Sequence, residues 1–340
     1  MANLPLEAAI ILLTTGAIWL GSGWLEGASE QLSRYYGLPE VVQGSIVTAI
    51  GSSFPELATV VVAAVTVGSL ELGVGAIVGS AIFNILVIPA VAGIATTDDI
   101  ESNRTLVYKE AQFYMLAVSV LVIVFAMAVI YYPVSAPDHL AGRITRPLAA
   151  IPIALYGLYI FTQYQDTAEH EADPEDGADV DVGRQWGLLL AGLVMILVAV
   201  ERLVHSLDVI GTELGVPEFI MGVTIAAGAT SLPDALVSVR AARDGRGVAS
   251  LANVRGSNTF DLLVAIPVGV LIVGAAPINF SMAVPMFGVL TLATIMLFTA
   301  LRTGLALSTF ESYALLGAYL TFVGWVVLET LTDVVNYLPN

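Results

Sequence analysis

The chain has no cysteine and, of its 12 basic residues, only one lysine, Lys109. Without cysteine there are no disulfides and no thiolate metal sites, and the usual sign of redox compartment is missing. Charge is also scarce: charged residues make up 12% of the 340 positions, about half the usual share of a soluble domain. The few charges are one-sided, 29 acidic against 12 basic, for a net charge of −17. The first residues, Met1 to Leu4, carry no basic stretch, so the first apolar run is expected to be a span rather than a cleaved signal.

What is abundant is apolar: 57% of the residues are hydrophobic. Ten membrane spans of about 20 residues each would use roughly 200 positions. This composition excludes a soluble enzyme, a nucleic-acid binder, a coiled coil and a disordered scaffold. Apolar runs fall at 6–25, 40–67, 70–95, 111–132, 147–164, 186–205, 217–240, 247–273, 282–301 and 311–330. Each is long enough to cross a bilayer as a helix, so the expected fold is an all-α polytopic membrane protein. The connections are short except 165–185, which holds eight acidic residues from Asp166 to Asp181 and reads as a solvated linker.

Arginine and lysine placement sets the expected orientation. With the N-terminus outside, the inner loops carry Arg34, Arg104, Lys109, Arg184, Arg240, Arg243, Arg246 and Arg302, and the outer loops only Arg143, Arg146 and Arg202. Arg255 falls at or within a span and is left out. Both termini are therefore expected to be extracellular and the linker cytoplasmic, in a cell membrane.

The chain also repeats itself. Gly37-Leu38-Pro39-Glu40 returns as Gly215-Val216-Pro217-Glu218, and Ser53-Phe54-Pro55-Glu56 as Ser231-Leu232-Pro233-Asp234, at a constant offset of 178. Gly79 to Asn84 returns as Gly256 to Asp261 at an offset of 177. Five spans in each half, an odd number, make the second half enter the membrane upside down. The expected architecture is ten transmembrane helices as two inverted five-helix repeats, 1–164 and 186–340, joined by 165–185.

The repeated segments hold the candidate chemistry. Ala49, Ser52, Ser53 and Glu56 share one helical face. Ala227, Thr230, Ser231 and Asp234 repeat that face. Pro55 and Pro233 lack an N–H, which frees the carbonyls of Gly51 and Ala229. Ser80 and Asn84, and Ser257 and Asp261, add i, i+4 polar pairs. Every candidate ligand is an oxygen, with no His or Cys among them, which suits a hard cation such as calcium or sodium. A carboxylate inside a membrane costs at least about 2.5–3.5 kcal/mol on insertion scales, so Glu56 and Asp234 read as functional rather than as helix–helix glue. Packing is the competing reading for Ser80 and Ser257. Close packing is the first reading for Gly44, Gly51, Gly79, Gly222, Gly228 and Gly256. Glu40 and Glu218 follow prolines in a first helical turn. Glu26, Glu201, Asp208, Glu311 and Glu329 are expected near span ends, reaching water, and His139, His170 and His205 in or near loops.

On these motifs, GSSFPE at 51–56 and ATSLPD at 229–234, followed by GSAIFN at 79–84 and GSNTFD at 256–261, the chain resembles the cation/calcium antiporter superfamily. Within it, the chain resembles a prokaryotic sodium/calcium exchanger over nearly its whole length. The resemblance implies that Glu56 and Asp234 hold calcium and share sodium. It implies that Ser52, Ser53, Thr230, Ser231, Ser80 and Ser257 supply hydroxyl or carbonyl ligands, and Ala49 and Ala227 carbonyl ligands of outer sodium sites. Asn84 and Asp261 would flank the middle site, and spans one and six would form a sliding gating pair. Asp234 departs from the glutamate usual in prokaryotic members; with Asp261 it resembles the potassium-dependent branch. Asp261 would then be either protonated, an amide-like partner of Asn84, or ionised beside an extra monovalent cation. The expected function is sodium/calcium antiport, with no cofactor and no enzymatic activity. Potassium-dependent exchange and proton/calcium antiport are the alternatives. A channel fits inverted halves less well. An intramembrane protease lacks its dyad and its Gly-x-Gly-Asp motif.

Overall fold

A computed structural model describes residues 3–37, 49–96, 99–135, 140–167 and 180–331. Gly44, Pro39, Glu40, His139, His170 and most of the acidic linker lie outside them.

The elements in order are α1 (Leu4–Tyr35), α2 (Ala49–Ser52), α3 (Phe54–Val62) and α4 (Leu70–Ile94), then β1 (Ile100–Glu101), α5 (Ala111–Tyr131), β2 (Pro133–Val134), β3 (Ala141–Thr145) and α6 (Arg146–Thr167). After the linker come α7 (Val182–Leu214), α8 (Glu218–Met221), α9 (Ala227–Arg243), α10 (Gly247–Phe260) and α11 (Ile266–Val273). The chain ends with β4 (Ala275–Asn279), α12 (Phe280–Arg302), β5 (Ala306–Leu307) and α13 (Thr309–Leu331). Wider π-helical turns continue four of these helices: Ala63–Val67 after α3, Thr105–Glu110 before α5, Gly222–Ala226 between α8 and α9, and Asp261–Ala265 between α10 and α11.

Among the described residues, eight helices are long and apolar enough to cross a membrane. The runs around Phe54–Val67 and Arg146–Thr167 fall outside that set. Several helices outrun their apolar cores. Asn3 caps α1, its side chain accepting from the Leu6 N–H, and the helix continues to Tyr35. Asp181 caps α7, and Gly215 ends it in the left-handed conformation that favours glycine. This lengthening corrects two expectations. Glu26 lies within α1 and is half-buried rather than at a span end, and His205 is an exposed residue of α7 rather than a loop residue. Glu329 is likewise buried rather than in water.

The connections are not all irregular. β1 pairs antiparallel with β5, and β3 pairs with β2 and β4, with Ala141 opposite Asn279 and Thr145 opposite Ala275. These loops sit where helices end. Pairing satisfies backbone groups there that lipid would leave unmet.

The buried helix is α4: 83% of its most apolar stretch is enclosed, against 22% for α1. It reads Leu, Val, Ile, Gly and Ala almost throughout, hydrophobic on every side, as a central helix should. Its glycines permit close contact. A Cβ on Gly75 would stand 2.3 Å from the Phe219 carbonyl oxygen, and one on Gly79 2.2 Å from that of Val223. Gly222 answers from the other side, 2.3 Å from the Leu72 carbonyl. So α4 lies backbone-to-backbone against α8 and the π turn after it. Gly228 and Gly256 meet nothing within 4 Å among the described residues, and Gly51 only the Glu26 backbone, which removes the close-packing reading for those three.

Two hydrophobic clusters divide the bundle. One gathers α4, α5, α12 and α13 with parts of α10 and α11. The other is built on α1 and α7, with Ala58, Leu72, Ala76, Met221 and Ala229 against them. α1 and α7 pack along each other and cross at a glycine pair, where a Cβ on Gly192 would come within 2.7 Å of the Gly21 carbonyl.

Candidate functional site

The four segments singled out by the repeats meet at one place. α9 and α10 both pack against α4, and α2 packs against α10. Glu56, Asp234 and Asp261 are buried at 1%, 2% and 0% exposure, and Ser52, Ser53, Ser80, Asn84, Thr230, Ser231 and Ser257 are buried with them.

Local backbone places these groups differently in the two halves. In the first, the helix stops at Ser52 and restarts at Phe54, with Ser53 between them at φ −93°, ψ 9°. Pro55 falls in the first turn of α3, where its missing N–H costs nothing. In the second half Pro233 sits inside the unbroken α9. The Thr230 hydroxyl there donates back to the carbonyls of Ala226 and Ala227, at 3.2 and 3.4 Å. The Ala227 carbonyl thus also accepts, at long range, from a hydroxyl of its own helix. Ala49 opens α2 at the edge of the described residues.

Hydroxyl contacts stitch the halves together. Ser52 Oγ and Ser257 Oγ are 3.1 Å apart, and Ser80 Oγ and Ser231 Oγ 2.7 Å. Asn84 Nδ2 donates to Asn258 Oδ1 at 2.9 Å. Asn258 Nδ2 in turn reaches the Ala81 carbonyl and Tyr114 Oη, each at 3.2 Å. The partner of Asn84 is therefore Asn258 and not Asp261, because an amide offers both the donor and the acceptor that this junction uses.

Among the described residues, no hydrogen bond of good geometry reaches the six oxygens of Glu56, Asp234 and Asp261. Thr230 faces Glu56, Ser53 faces Asp261, and Ser257 and Asn253 face Asp234. Charges on Glu56, Asp234 and Asp261 act on one another across the site. Among the described residues no three acidic or histidine side chains converge to chelate a metal alone, so hydroxyls and carbonyls would have to complete any shell. Buried carboxylates left without donors are costly unless protonated or matched by a cation. Oxygen-only surroundings are what a hard cation takes.

Sequence reasoning missed Asn258, Tyr114, Asn253 and Glu26. Asn258 carried a signal: it stands where the first repeat has Ala81, a polar residue in a place its counterpart leaves apolar. Arg255 is buried in α10. Its Nη1 donates to the Leu106 carbonyl at 2.6 Å, and its guanidinium lies 5.3 Å from the Phe298 ring centre.

A helical membrane bundle with buried carboxylates beside a helix break and an in-helix proline has the build of a membrane transporter. The chain belongs to the sodium/calcium exchanger protein family, whose model matches residues 6–165 and 184–328. It is 29% identical to the uncharacterized membrane protein MJ0091 of Methanocaldococcus jannaschii, over 83% of this chain and 87% of that protein. It is 27% identical to the putative antiporter CaxA of Alkalimonas amylolytica, over 75% of this chain and 77% of that one. Among solved structures it resembles the sodium-calcium exchanger NCX_Mj, with a TM-score of 0.62, 22% identity, and coverage of 94% of this chain and 99% of that one. It also resembles the H+/Ca2+ exchanger CAX, with a TM-score of 0.70, 17% identity, and coverage of 93% and 82%. At these identities the two structures establish the fold.

Proposed function

We propose that the chain is a secondary active antiporter that exchanges sodium for calcium across the cell membrane by alternating access. Ten spans form two inverted five-helix repeats, 1–164 and 186–340, with both termini outside and 165–185 in the cytoplasm. The observation that carries this reading is the set of three buried carboxylates that no well-formed hydrogen bond reaches among the described residues, ringed by hydroxyls. Family membership and the name of the relative CaxA support antiport.

In this reading Glu56 and Asp234 are the central ligands. Ser52, Ser53, Ser80, Thr230, Ser231 and Ser257 supply neutral oxygens, and Ala49 and Ala227 carbonyls at the outer positions. Asn84 and Asp261 flank the centre. Two negative charges in a low dielectric are neutralised by one calcium or by several sodium ions shared with neighbouring oxygens. Empty and charged, the site is too costly to carry past a dry seal, so movement requires a loaded site and the two ions exchange. α1 and α7, on which the second hydrophobic cluster is built, would be the moving pair.

A second reading is potassium-dependent exchange. It is favoured by Asp234 and Asp261 and by a local match, 44% identical over 66 residues, to human sodium/potassium/calcium exchanger 4, which spans 19% of this chain and 11% of that protein. Calcium-45 uptake into sodium-loaded proteoliposomes, with and without potassium, tests both. Uptake driven by a pH gradient without sodium would replace them with proton/calcium antiport.

A further inference from the structure

Among the side chains gathered at the site, asparagine alone has two unlike ends. A carboxylate or a hydroxyl offers an oxygen however it turns, whereas the Asn84 amide offers a cation either its oxygen or a repelling NH2 group. Asn84, Asn258, Ala81 and Tyr114 are all at 0% exposure, so their contacts with one another set the choice. A backbone carbonyl can only accept. The Ala81 carbonyl, 3.2 Å from Asn258 Nδ2, therefore selects the NH2 end of that amide. Tyr114 Oη takes a hydrogen of the same group, also at 3.2 Å; a phenol donates or accepts, so it follows the choice rather than making it. Asn258 Oδ1 is then left facing Asn84 and accepts from its Nδ2 at 2.9 Å. An acceptor selects a donor, so Asn84 Oδ1 is turned away from Asn258. No hydrogen bond of good geometry reaches this buried oxygen among the described residues, a condition it shares with the oxygens of Glu56, Asp234 and Asp261.

The repeat differs between its halves in the same sense. At the offset of 177, Asn258 answers Ala81 and Asp261 answers Asn84. The amide at 84 is thus held by a second amide from the other half, which also binds the carbonyl of its own counterpart. The carboxylate at 261 has two equivalent oxygens and needs no such partner, and the position that would supply one carries only the methyl group of Ala81. An orienting side chain is present opposite the residue with two unlike ends and missing opposite the residue with two like ones.

We propose that Asn258 is a positioning residue: it fixes the Asn84 amide with its oxygen free for the transported cation, and the Ala81 carbonyl sets the direction of the pair. Asn258 acts through Asn84 rather than as a ligand. The proposal rests on the exchanger reading for the identity of the cation. Without Asn258, Asn84 is free to turn its NH2 group toward a cation, and the site loses a neutral oxygen and gains a repelling dipole end. Calcium, with twice the charge of sodium, is affected more.

The test is a double-mutant comparison on the full-length protein in proteoliposomes. Asn258→Leu, or the smaller Asn258→Ala where the first does not elute folded, should raise the calcium needed for half-maximal calcium-45 exchange roughly 10–100-fold, as loss of a ligand's hydrogen-bond partner does. In an Asn84→Asp background either end of residue 84 is an oxygen, and the same change at 258 should add no further shift. Tyr114→Phe leaves the Ala81 carbonyl in place and should shift the calcium requirement less than Asn258→Leu. Equilibrium calcium-45 binding to protein purified in detergent gives the same comparison for any variant that no longer turns over. No shift from the change at 258 alone, an equal shift in both backgrounds, or a Tyr114→Phe shift as large as that of Asn258→Leu would overturn the orienting role; the equal shift is what a merely structural Asn258 would give. A native protein that binds calcium without exchanging it for sodium would overturn the exchanger reading and leave the binding comparison standing, and one that binds none would overturn both.

Discussion

The two signature helices carry nearly the same residues and are built differently. In the first half the helix breaks at Ser53, and Ser52 makes the cross-contact, to Ser257. In the second the helix runs through Pro233, and the contact comes from Ser231, to Ser80. By the repeat offset Ser52 matches Thr230, not Ser231, so the contact has moved by one residue. The hydroxyls at the matched position differ too. Thr230 turns its hydroxyl back onto its own helix, whereas Ser52 points across. A proline thus marks where a helix can be interrupted, and the two halves differ in whether it is.

The sharpest way to break the comparison is to remove the charge both halves share. Glu56→Gln and Asp234→Asn should each reduce calcium-45 exchange to background while the protein still elutes as a folded species in detergent. Exchange near the native rate in either would remove that half from the site.

Packing comes next. Gly79→Ala should lower stability by about 1–3 kcal/mol or more, since a Cβ there meets the Val223 backbone. Its counterpart Gly256→Ala, in open space, should be neutral or stabilising by about 0.5–1 kcal/mol. Thermal unfolding in detergent distinguishes them, and equal losses would mean that the two halves pack alike.

The prolines should separate the halves more finely. Pro55→Ala lets the helix continue through Ser53 and should slow exchange by up to roughly a hundredfold, as misplaced groups do. Pro233→Ala returns one hydrogen bond to an already continuous helix and should stabilise it by about 1 kcal/mol with little change in rate. Similar rates for the two would show that the break is not used.

Asp261→Asn tests the carboxylate that the eighth span carries where the third has Asn84. Potassium-stimulated uptake that vanishes in this variant would assign Asp261 to a monovalent cation; unchanged exchange would assign it a neutral role. The smallest effect is expected from deleting the bulk of 168–180, outside every apolar run: basal transport should persist, and its loss in correctly inserted protein would place the linker in the mechanism.

Much of this was legible from residue spacing. Glu56, Asp234, Ser80 and Ser257 announce themselves as polar groups in apolar runs, repeated at fixed offset. Asn258 was harder, since its role depends on Tyr114 and Asn84 arriving from α5 and α4. Glu26 was misplaced near a span end because hydropathy stops where polar residues begin, while α1 continues as helix to Tyr35. The strand pairs β1–β5 and β2–β3–β4 join loops distant in sequence, and their short runs have no period to detect.

What the amino-acid order determined was the inventory: apolar runs long enough to span, prolines and carboxylates in register, and oxygen as the only available ligand. These follow from local rules, because hydropathy, helical spacing and a missing N–H act within one segment. Tertiary structure decided which hydroxyl crosses between halves, which helix breaks, and that the partner of Asn84 is an amide. Those outcomes depend on how the halves approach, and α4 meets α8 and the π turn after it through backbone contacts at Gly75, Gly79 and Gly222 whose partners lie more than a hundred residues away.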